Sequence, residues 1–277
     1  MKDDTTLAEH QPRTGSVSYY AQVFTPPTLR SVTGALYALN RALDAARDGQ
    51  DPGVARLKLQ WWREELQRLA EGQPRHPITQ ALRDCGVTPD WQIDTLAAGR
   101  ENELAHQTTN TSGEWETQIS LVTGRNLELW SRLLGAPVDL DLRAARALSQ
   151  GLHLCAALRR CHGAARHGHL TLPAEWLQRS DITIQQLWNA EADSATQQLL
   201  DEVAARAVVQ LDEALQQWPP EQRSAHVPLL ITAELRRHIL TLQREEGFRN
   251  LDQRFTTTPI RKLWRAWRIS RRYRKAR

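Results

Sequence analysis

Apolar residues return along most of this chain every three or four positions, the spacing that places them on one face of an α-helix. Leu29, Val32, Leu36, Leu39 and Leu43 follow this pattern after a pair of prolines. The sequence lacks the alternating runs of β-branched residues that strands require. The pattern therefore predicts an all-α protein, with helices at about residues 29–48, 54–70, 91–105, 117–134, 140–166, 194–218, 225–246 and 259–275.

With 277 residues, 40% hydrophobic and 25% charged, the chain has the composition of a globular protein. We expect one helical domain over residues 1–258 and a basic amphipathic helix over residues 259–277. No run approaches the ~18 apolar residues of a membrane-spanning helix, and Met1–His10 lacks the apolar centre of a signal peptide. Because the chain also has only 3 cysteines, these features predict a cytoplasmic protein.

Basic residues are concentrated at the end of the chain, where nine lysines and arginines and no acid lie between Arg261 and Arg277. In a helix, Ile260, Leu263, Trp264 and Trp267 form one stripe and arginines cover the remaining surface, as in helices that lie in the headgroup plane of a membrane.

We therefore predict contact with an anionic membrane surface, peripheral on the inner membrane face, through Trp264, Trp267, Arg265, Arg268 and Arg271. Packing of the two tryptophans against the helical domain is one alternative. Nucleic acid is another, but no recognised nucleic-acid-binding fold accompanies the basic run.

The first long helix carries the clearest candidate chemistry. Tyr37, Arg41, Asp44 and Asp48 are spaced by four, three and four residues, so they share one face. Carboxylates one turn apart can share Mg²⁺, with water or phosphate completing its coordination. The alternative is a solvated face on which Arg41 and Arg47 pair with the two aspartates.

A second candidate lies on the long helix before Leu172 and Pro173, which contains His153, Arg160, Cys155 and Cys161. The two cysteines are six residues apart and point in different directions on a helix. No second Cys/His pair accompanies them, so buried structural cysteines are favoured over a zinc site.

These two segments resemble corresponding parts of squalene/phytoene synthases. The stretch from Ser18 to Asp48 is similar to the family's opening helix, in which arginine precedes a D-x-x-x-D motif, and the stretch through Pro173 is similar to its second aspartate helix. The resemblance implies an isoprenoid-synthase-like helical bundle with a central cavity. Enzymes of the family join two prenyl diphosphates, using Mg²⁺ held by two facing aspartate motifs. The resemblance assigns diphosphate binding to Arg30, Tyr37, Arg41 and Arg160, and metal binding to Asp44 and Asp48.

The second helix departs from the family pattern. The family's glutamine and asparagine become His153 and Ala156, and its R-D-x-x-E-D becomes residues 159–164, RRCHGA. All three acidic positions are lost, and Arg160 occupies one of them. Opposite charges about 4 Å apart interact by about 4 kcal/mol at an effective dielectric constant of ~20, so this reversal of sign matters. We predict that Arg160, with Arg159, faces Asp44 and Asp48 and replaces the metal bridge with an ion pair. The rival prediction is that Arg30, Arg41 and Arg160 bind phosphate directly.

This loss predicts a non-catalytic protein. The chain resembles a divergent branch of the family that includes the mitochondrial respiratory complex I assembly factor 6. That branch implies an accessory or assembly role at a membrane surface, with an isoprenoid lipid or a respiratory-complex client as partner and no certain cofactor. The alternative is a prenyltransferase of squalene/phytoene synthase type with atypical metal use, whose cofactor is Mg²⁺.

Overall fold

The structure is a computed structural model that describes residues 11–48, 51–86, 93–105, 108–135, 139, 142–253 and 255–274. This part of the chain consists of helices, turns and one isolated β-bridge between Glu191 and Asn250. The all-α prediction is confirmed. The helices are α1 (Val17–Val23), α2 (Arg30–Arg47), α3 (Pro52–Ala70), α4 (Pro77–Asp84), α5 (Thr95–Ala105), α6 (Ser112–Ile119), α7 (Arg125–Leu133), α8 (Arg143–Ala165), α9 (Ala174–Arg179), α10 (Ile184–Trp188), α11 (Ser194–Gln217), α12 (Val227–Glu245) and α13 (Pro259–Arg274).

Local capping interactions determine where several helices begin. The Asp51 side chain accepts a hydrogen bond from the backbone N–H of Val54 at 2.9 Å, with a proline in the first position of α3. The predicted start of a helix at residue 117 was wrong. Thr111 and Glu114 form a capping box, so α6 already begins at Ser112. The predicted start of the preceding helix at residue 91 lies outside the described residues.

The long helices α8 and α11 pack against each other at the centre of the protein, and α12 packs against α11 and α1. The crossing of α8 and α11 is close at Gly151, where a Cβ atom would lie 2.7 Å from the Leu211 side chain. On the other side of the bundle, α2 packs against α3, α4 and α5. Buried residues of α2, α5 and α8, the helices that carry the candidate site, belong to one hydrophobic cluster.

The basic helix α13 docks on this core. It packs against α12 and α1 through Ala266, Ile269 and Tyr273, all of which are buried. None of the described helices combines the length and the apolar character that crossing a bilayer would need. The described part of the helix extends to Arg274, and the prediction that it continues to residue 275 falls outside the described residues.

A buried carboxylate joins α3 to the segment that follows it. The fully buried Glu65 accepts hydrogen bonds from the Thr79 hydroxyl at 2.5 Å, from the backbone N–H groups of Arg75 and His76 at 2.7 and 2.8 Å, and from Arg68 at 2.9 Å. Burial would raise the pKa of this carboxyl group. The hydrogen bonds outweigh burial and lower the pKa.

Replacing Glu65 with glutamine is expected to lower the free energy of unfolding by about 2 kcal/mol, because an amide cannot accept all four bonds. Urea unfolding of the variant measures this effect. Glu64→Gln, on the exposed side of the same helix, is the matched control and should change stability by less than about 0.5 kcal/mol. If the two variants are equally stable, the hydrogen bonds to the Glu65 carboxylate do not stabilise the fold as proposed.

Candidate functional site

Three helices bring charged residues together at one end of the bundle. Asp44 and Arg47 lie in the last turn of α2 and Asp48 caps its end. Glu103 lies near the end of α5, and Arg160 lies in the second half of α8. Their neighbours on the core side of each helix are apolar, which fixes the direction in which these side chains point.

Glu103 is the centre of this cluster. One of its carboxylate oxygens lies 2.6 Å from Nη1 of Arg47, and the other lies 3.7 Å from Nη2 of Arg160. The side chains of Arg47 and Glu103 are each only 10% exposed. We call these three residues the Arg47–Glu103–Arg160 bridge. It joins α2, α5 and α8 through one carboxylate.

The two aspartates of the D-x-x-x-D motif contact other arginines. Arg47 lies 2.7 Å from Asp48 and 3.5 Å from Asp44, and Nε of Arg100 lies 3.5 Å from the same oxygen of Asp44. The predicted partner of Arg160 was therefore wrong: it pairs with Glu103 and not with Asp44 or Asp48. The alternative of a solvated face on which Arg41 and Arg47 pair with the aspartates holds only for the contacts of Arg47, and Arg47 is largely buried.

Burial and charge set the pKa of the central carboxyl group. Burial would raise the pKa of Glu103, but Arg47, Arg160 and Arg100 outweigh it and lower the pKa to about 2. The cluster is not fully satisfied, because Nε and Nη1 of Arg100 and Nε of Arg160 are buried without a hydrogen-bond partner. The buried guanidinium groups of Arg100 and Arg160 therefore retain donors that the acids around them do not accept.

The polar network continues inward from the cluster along α2. Arg100 donates to Asn40 at 3.0 Å, and Asn40 donates to Asn126 at 3.0 Å. One turn earlier, the Tyr37 ring packs edge to face on Trp130 with ring centroids 4.8 Å apart. Burial raises the pKa of Tyr37 above its usual range, so its hydroxyl stays protonated.

His153 occupies the interior face of α8. It is buried, hydrogen-bonds to the Thr123 hydroxyl at 3.0 Å and packs on Trp115 with ring centroids 5.0 Å apart. Burial lowers the pKa of His153 to about 4; Glu103 opposes this shift, and Arg160 and the other nearby arginines add to it. This histidine is neutral at pH 7.

A pH dependence of stability follows from His153. The unfolded chain takes up a proton at this residue below about pH 6.5, but the folded chain does so only near pH 4. Stability from this residue is therefore present above pH 6.5 and lost as the pH falls. We expect the free energy of unfolding to drop by about 2 kcal/mol more between pH 7.5 and pH 5 in the native chain than in His153→Gln. Urea unfolding at both pH values tests this, and parallel losses in the two proteins would contradict it.

Two of the residues assigned to diphosphate binding have other contacts. Arg30, at the start of α2, donates to the backbone carbonyls of Thr25 and Val23 at 3.2 and 3.3 Å. Fourteen residues separate it from Asp44, about 21 Å along a helix. Arg41 donates to the carbonyl of Gln11 at 2.6 Å. The structure therefore does not bring Arg30 together with Asp44 and Arg160.

The residues present do not fit the Mg²⁺ cluster that the fold implies. On the facing helix α8, the three positions of the family's acids hold Arg160, Gly163 and Ala164. The nearby acid Glu103 is already bound by two arginines. Within the described residues, no group of three or more His, Cys, Asp or Glu side chains is placed to hold a metal ion. Cys155 and Cys161 are buried and free, and burial raises the pKa of both thiols.

Two clefts lie beside α3 and not between α2 and α8. One of about 750 Å³ separates α3 from α5 and is lined by polar residues such as Arg63 and Glu101. A smaller one of about 230 Å³ lies between Trp61 and Ala45. The central cavity that the resemblance implies stays a prediction.

The predicted membrane-contact residues divide between the two sides of α13. Trp264 and Trp267 are 51% and 44% exposed, so they do not pack into the helical domain. Arg268 and Arg271 stack on these two rings, at 4.7 and 5.2 Å from the ring centroids. Arg265 instead points inward and pairs with the buried Glu234 at 2.8 Å, so we assign it to docking of the helix.

The arrangement of helices defines the class of protein. The fold is similar to a dehydrosqualene synthase crystallised with a ligand, with a TM-score of 0.77 and 19% identity over 100% of this chain and 99% of that one. It is also similar to squalene synthase HpnC from Alicyclobacillus acidocaldarius, with a TM-score of 0.70 and 18% identity over 90% and 94% of the two chains. The protein therefore has an isoprenoid-synthase-like helical fold.

Sequence comparison identifies the family. The model of the squalene/phytoene synthase family matches residues 12–264, so the chain belongs to this family. It is also 26% identical to presqualene diphosphate synthase from Rhodopseudomonas palustris over 201 residues, which is 70% of this chain and 71% of that protein. These comparisons do not bear on the branch that includes complex I assembly factor 6.

Proposed function

We propose that this member of the squalene/phytoene synthase family does not condense prenyl diphosphates. It acts instead as an accessory or assembly protein at a membrane surface, where it holds an isoprenoid. The observation that carries this proposal is the Arg47–Glu103–Arg160 bridge. It joins α2 to α8, the two helices between which the resemblance puts metal.

The chemistry of the family explains why this substitution matters. Ionisation of an allylic diphosphate requires the charge on the leaving group to be neutralised as the carbon–oxygen bond breaks. Asp44 and Asp48 offer carboxylates from one side only, and both are paired with Arg47. On the other side Arg160 presents positive charge, which repels a divalent cation by several kcal/mol at close range.

The accessory role draws on other parts of the chain. A bundle that no longer ionises its ligand can still enclose an apolar one, and this part of the proposal rests on the central cavity that the family resemblance implies. The outward tryptophans of α13 favour work at a membrane surface. An assembly role on a respiratory-complex client remains a prediction from the branch-level resemblance.

A specific observation favours the alternative, a prenyltransferase with atypical metal use. Asp44 and Asp48 keep the D-x-x-x-D frame and are half exposed, and the similar Rhodopseudomonas palustris protein is a presqualene diphosphate synthase. The guanidinium nitrogens of Arg100 and Arg160 that make no hydrogen bond also offer donors to a diphosphate.

One assay separates the two proposals. The purified chain is incubated with farnesyl diphosphate or geranylgeranyl diphosphate and Mg²⁺, with the Rhodopseudomonas palustris enzyme as positive control, and pyrophosphate release is measured. We expect no release above the rate without protein, and stabilisation of the chain by farnesol with or without Mg²⁺. Release that requires Mg²⁺ and disappears in Asp44→Asn would overturn the non-catalytic proposal and establish the alternative.

A further inference from the structure

The outward face of α13 is unusual for a helix that is docked on a protein core. Ile260, Leu263, Trp264 and Trp267 are 78%, 45%, 51% and 44% exposed, although they are among the largest apolar residues of the helix. They lie at positions i, i+3, i+4 and i+7 and therefore form one continuous stripe. We call these four residues the α13 stripe.

The opposite face of the same helix explains why the stripe cannot turn inward. Ala266, Ile269 and Tyr273 are buried, and the buried Lys262 donates to the carbonyl of Gly15 at 2.7 Å. Arg265 pairs with the buried Glu234 of α12. These contacts fix the rotation of the helix about its axis, so the stripe is held toward the outside in the folded protein.

Basic side chains border the stripe on its exposed side. Arg268 and Arg271 stack on the two indole rings, and Arg261 and Arg272 are exposed on the same half of the helix. Arginines that lie over tryptophans can keep their guanidinium groups at the level of lipid phosphates while the rings enter the apolar layer. The charge of this face complements an anionic lipid headgroup.

We propose that the α13 stripe is a membrane-binding face that inserts Trp264 and Trp267 into a bilayer containing anionic lipid. The inference rests on the membrane-surface part of the proposed function, but it does not depend on whether the chain is catalytic. A nucleic acid is a poorer fit, because Ile260 and Leu263 make no favourable contact with a phosphate backbone. Burial of both side chains in lipid is favourable.

Co-sedimentation of the full chain with vesicles tests the inference. The vesicles consist of phosphatidylcholine alone, or of phosphatidylcholine and phosphatidylglycerol in equal amounts. We expect binding to the anionic vesicles only, weakening as salt is added. The double variant Trp264→Ala/Trp267→Ala should reduce the partition coefficient by about tenfold or more.

The chain offers a matched control. Trp188 is 45% exposed but lies on α10, outside the basic helix. Trp188→Ala should bind vesicles like the native chain, and thermal unfolding should show that both variants remain folded. Absence of binding by the native chain, equal losses in both variants, or unchanged binding by the double variant would each overturn the inference. So would a preference for duplex DNA over vesicles in a competition experiment.

The pyrophosphate assay on the same preparation keeps the two proposals separate. Vesicle binding together with pyrophosphate release would leave this inference standing and remove the non-catalytic proposal. If the chain neither binds vesicles nor releases pyrophosphate, this inference is removed and the non-catalytic proposal stands.

Discussion

Replacing Glu103 with glutamine should lower the free energy of unfolding by about 3–5 kcal/mol, the cost of removing one partner from a buried ion pair. The change keeps the size of the side chain, so no cavity contributes. It leaves Arg47 and Arg160 close together without the carboxylate that joins them. Urea unfolding at neutral pH measures the loss, and the low pKa of Glu103 ensures that the native group is charged there.

Two further variants give this result its meaning. Asp48→Asn removes an acid that contacts the same Arg47 but is 60% exposed, so it should cost less than about 1 kcal/mol. Arg160→Gln combined with Glu103→Gln should cost less than the sum of the two single changes, because the pair is then removed together. Additive effects, or a Glu103→Gln protein as stable as the native chain, would show that the bridge does not hold the helices together.

The bridge also predicts how the protein responds to acid. The folded chain holds Glu103 ionised down to about pH 2, whereas the unfolded chain protonates it near the ordinary value of 4.5. Its stabilisation is therefore complete above about pH 4.5 and lost as the pH falls toward 2. In the squalene/phytoene synthase family, a metal site would instead lose stability when chelators are added. In this chain, we expect low pH to separate α2 from α8 and a chelator to have no such effect.

The sequence predicted the long helices well, because their apolar period is repeated over several turns. The predicted segments at 29–48, 54–70, 140–166, 194–218 and 225–246 correspond to α2, α3, α8, α11 and α12 within a few residues. The short helices α1, α4, α9 and α10 were missed. Each spans eight residues or fewer, too few for a period of 3.6 to repeat convincingly.

The candidate site could be predicted only in part. The resemblance located Arg160 by its position in a motif, but its partner Glu103 belongs to no motif and lies 57 positions earlier in the chain. Glu103 and Arg100 are three residues apart on α5, which packs against α2. This charged pair was the signal in the sequence that could have pointed to Glu103. Pairing across helices depends on tertiary packing, which spacing along one helix does not contain.

Arg30 illustrates the opposite case. It matched the family pattern by position, but the structure uses it to bind the carbonyls of Thr25 and Val23 next to α1. A matching residue type does not determine a role when a closer set of acceptors is available. Periodicity predicted the apolar stripe of α13 but not that it faces outward, because a second face of the helix, through Ala266, Ile269 and Tyr273, is the one buried against the core.

Replacing Glu234 with glutamine is the second change expected to have a large effect. Glu234 is buried on α12 and accepts from Arg265 of α13 at 2.8 Å and from Arg237 at 3.1 Å. Without its charge, Arg265 is left partly buried and unpaired at the interface between the two helices. We expect a loss of about 2–4 kcal/mol in the free energy of unfolding. We also expect faster tryptic cleavage within α13, because the arginine-rich helix separates from the core more often.

The neighbouring Arg268 supplies the control for this prediction. It lies 3.9 Å from the same carboxylate and its side chain is 51% exposed, so Arg268→Gln should change stability by less than about 1 kcal/mol. If Glu234→Gln and Arg268→Gln are equally stable, or if cleavage of α13 is no faster, Glu234 is not what docks the helix. If α13 separates from the core more often, as expected, Glu234 helps to hold its orientation together with the buried Ala266, Ile269 and Tyr273. Vesicle binding by Glu234→Gln then reports whether the outward stripe must be held in place to insert into lipid.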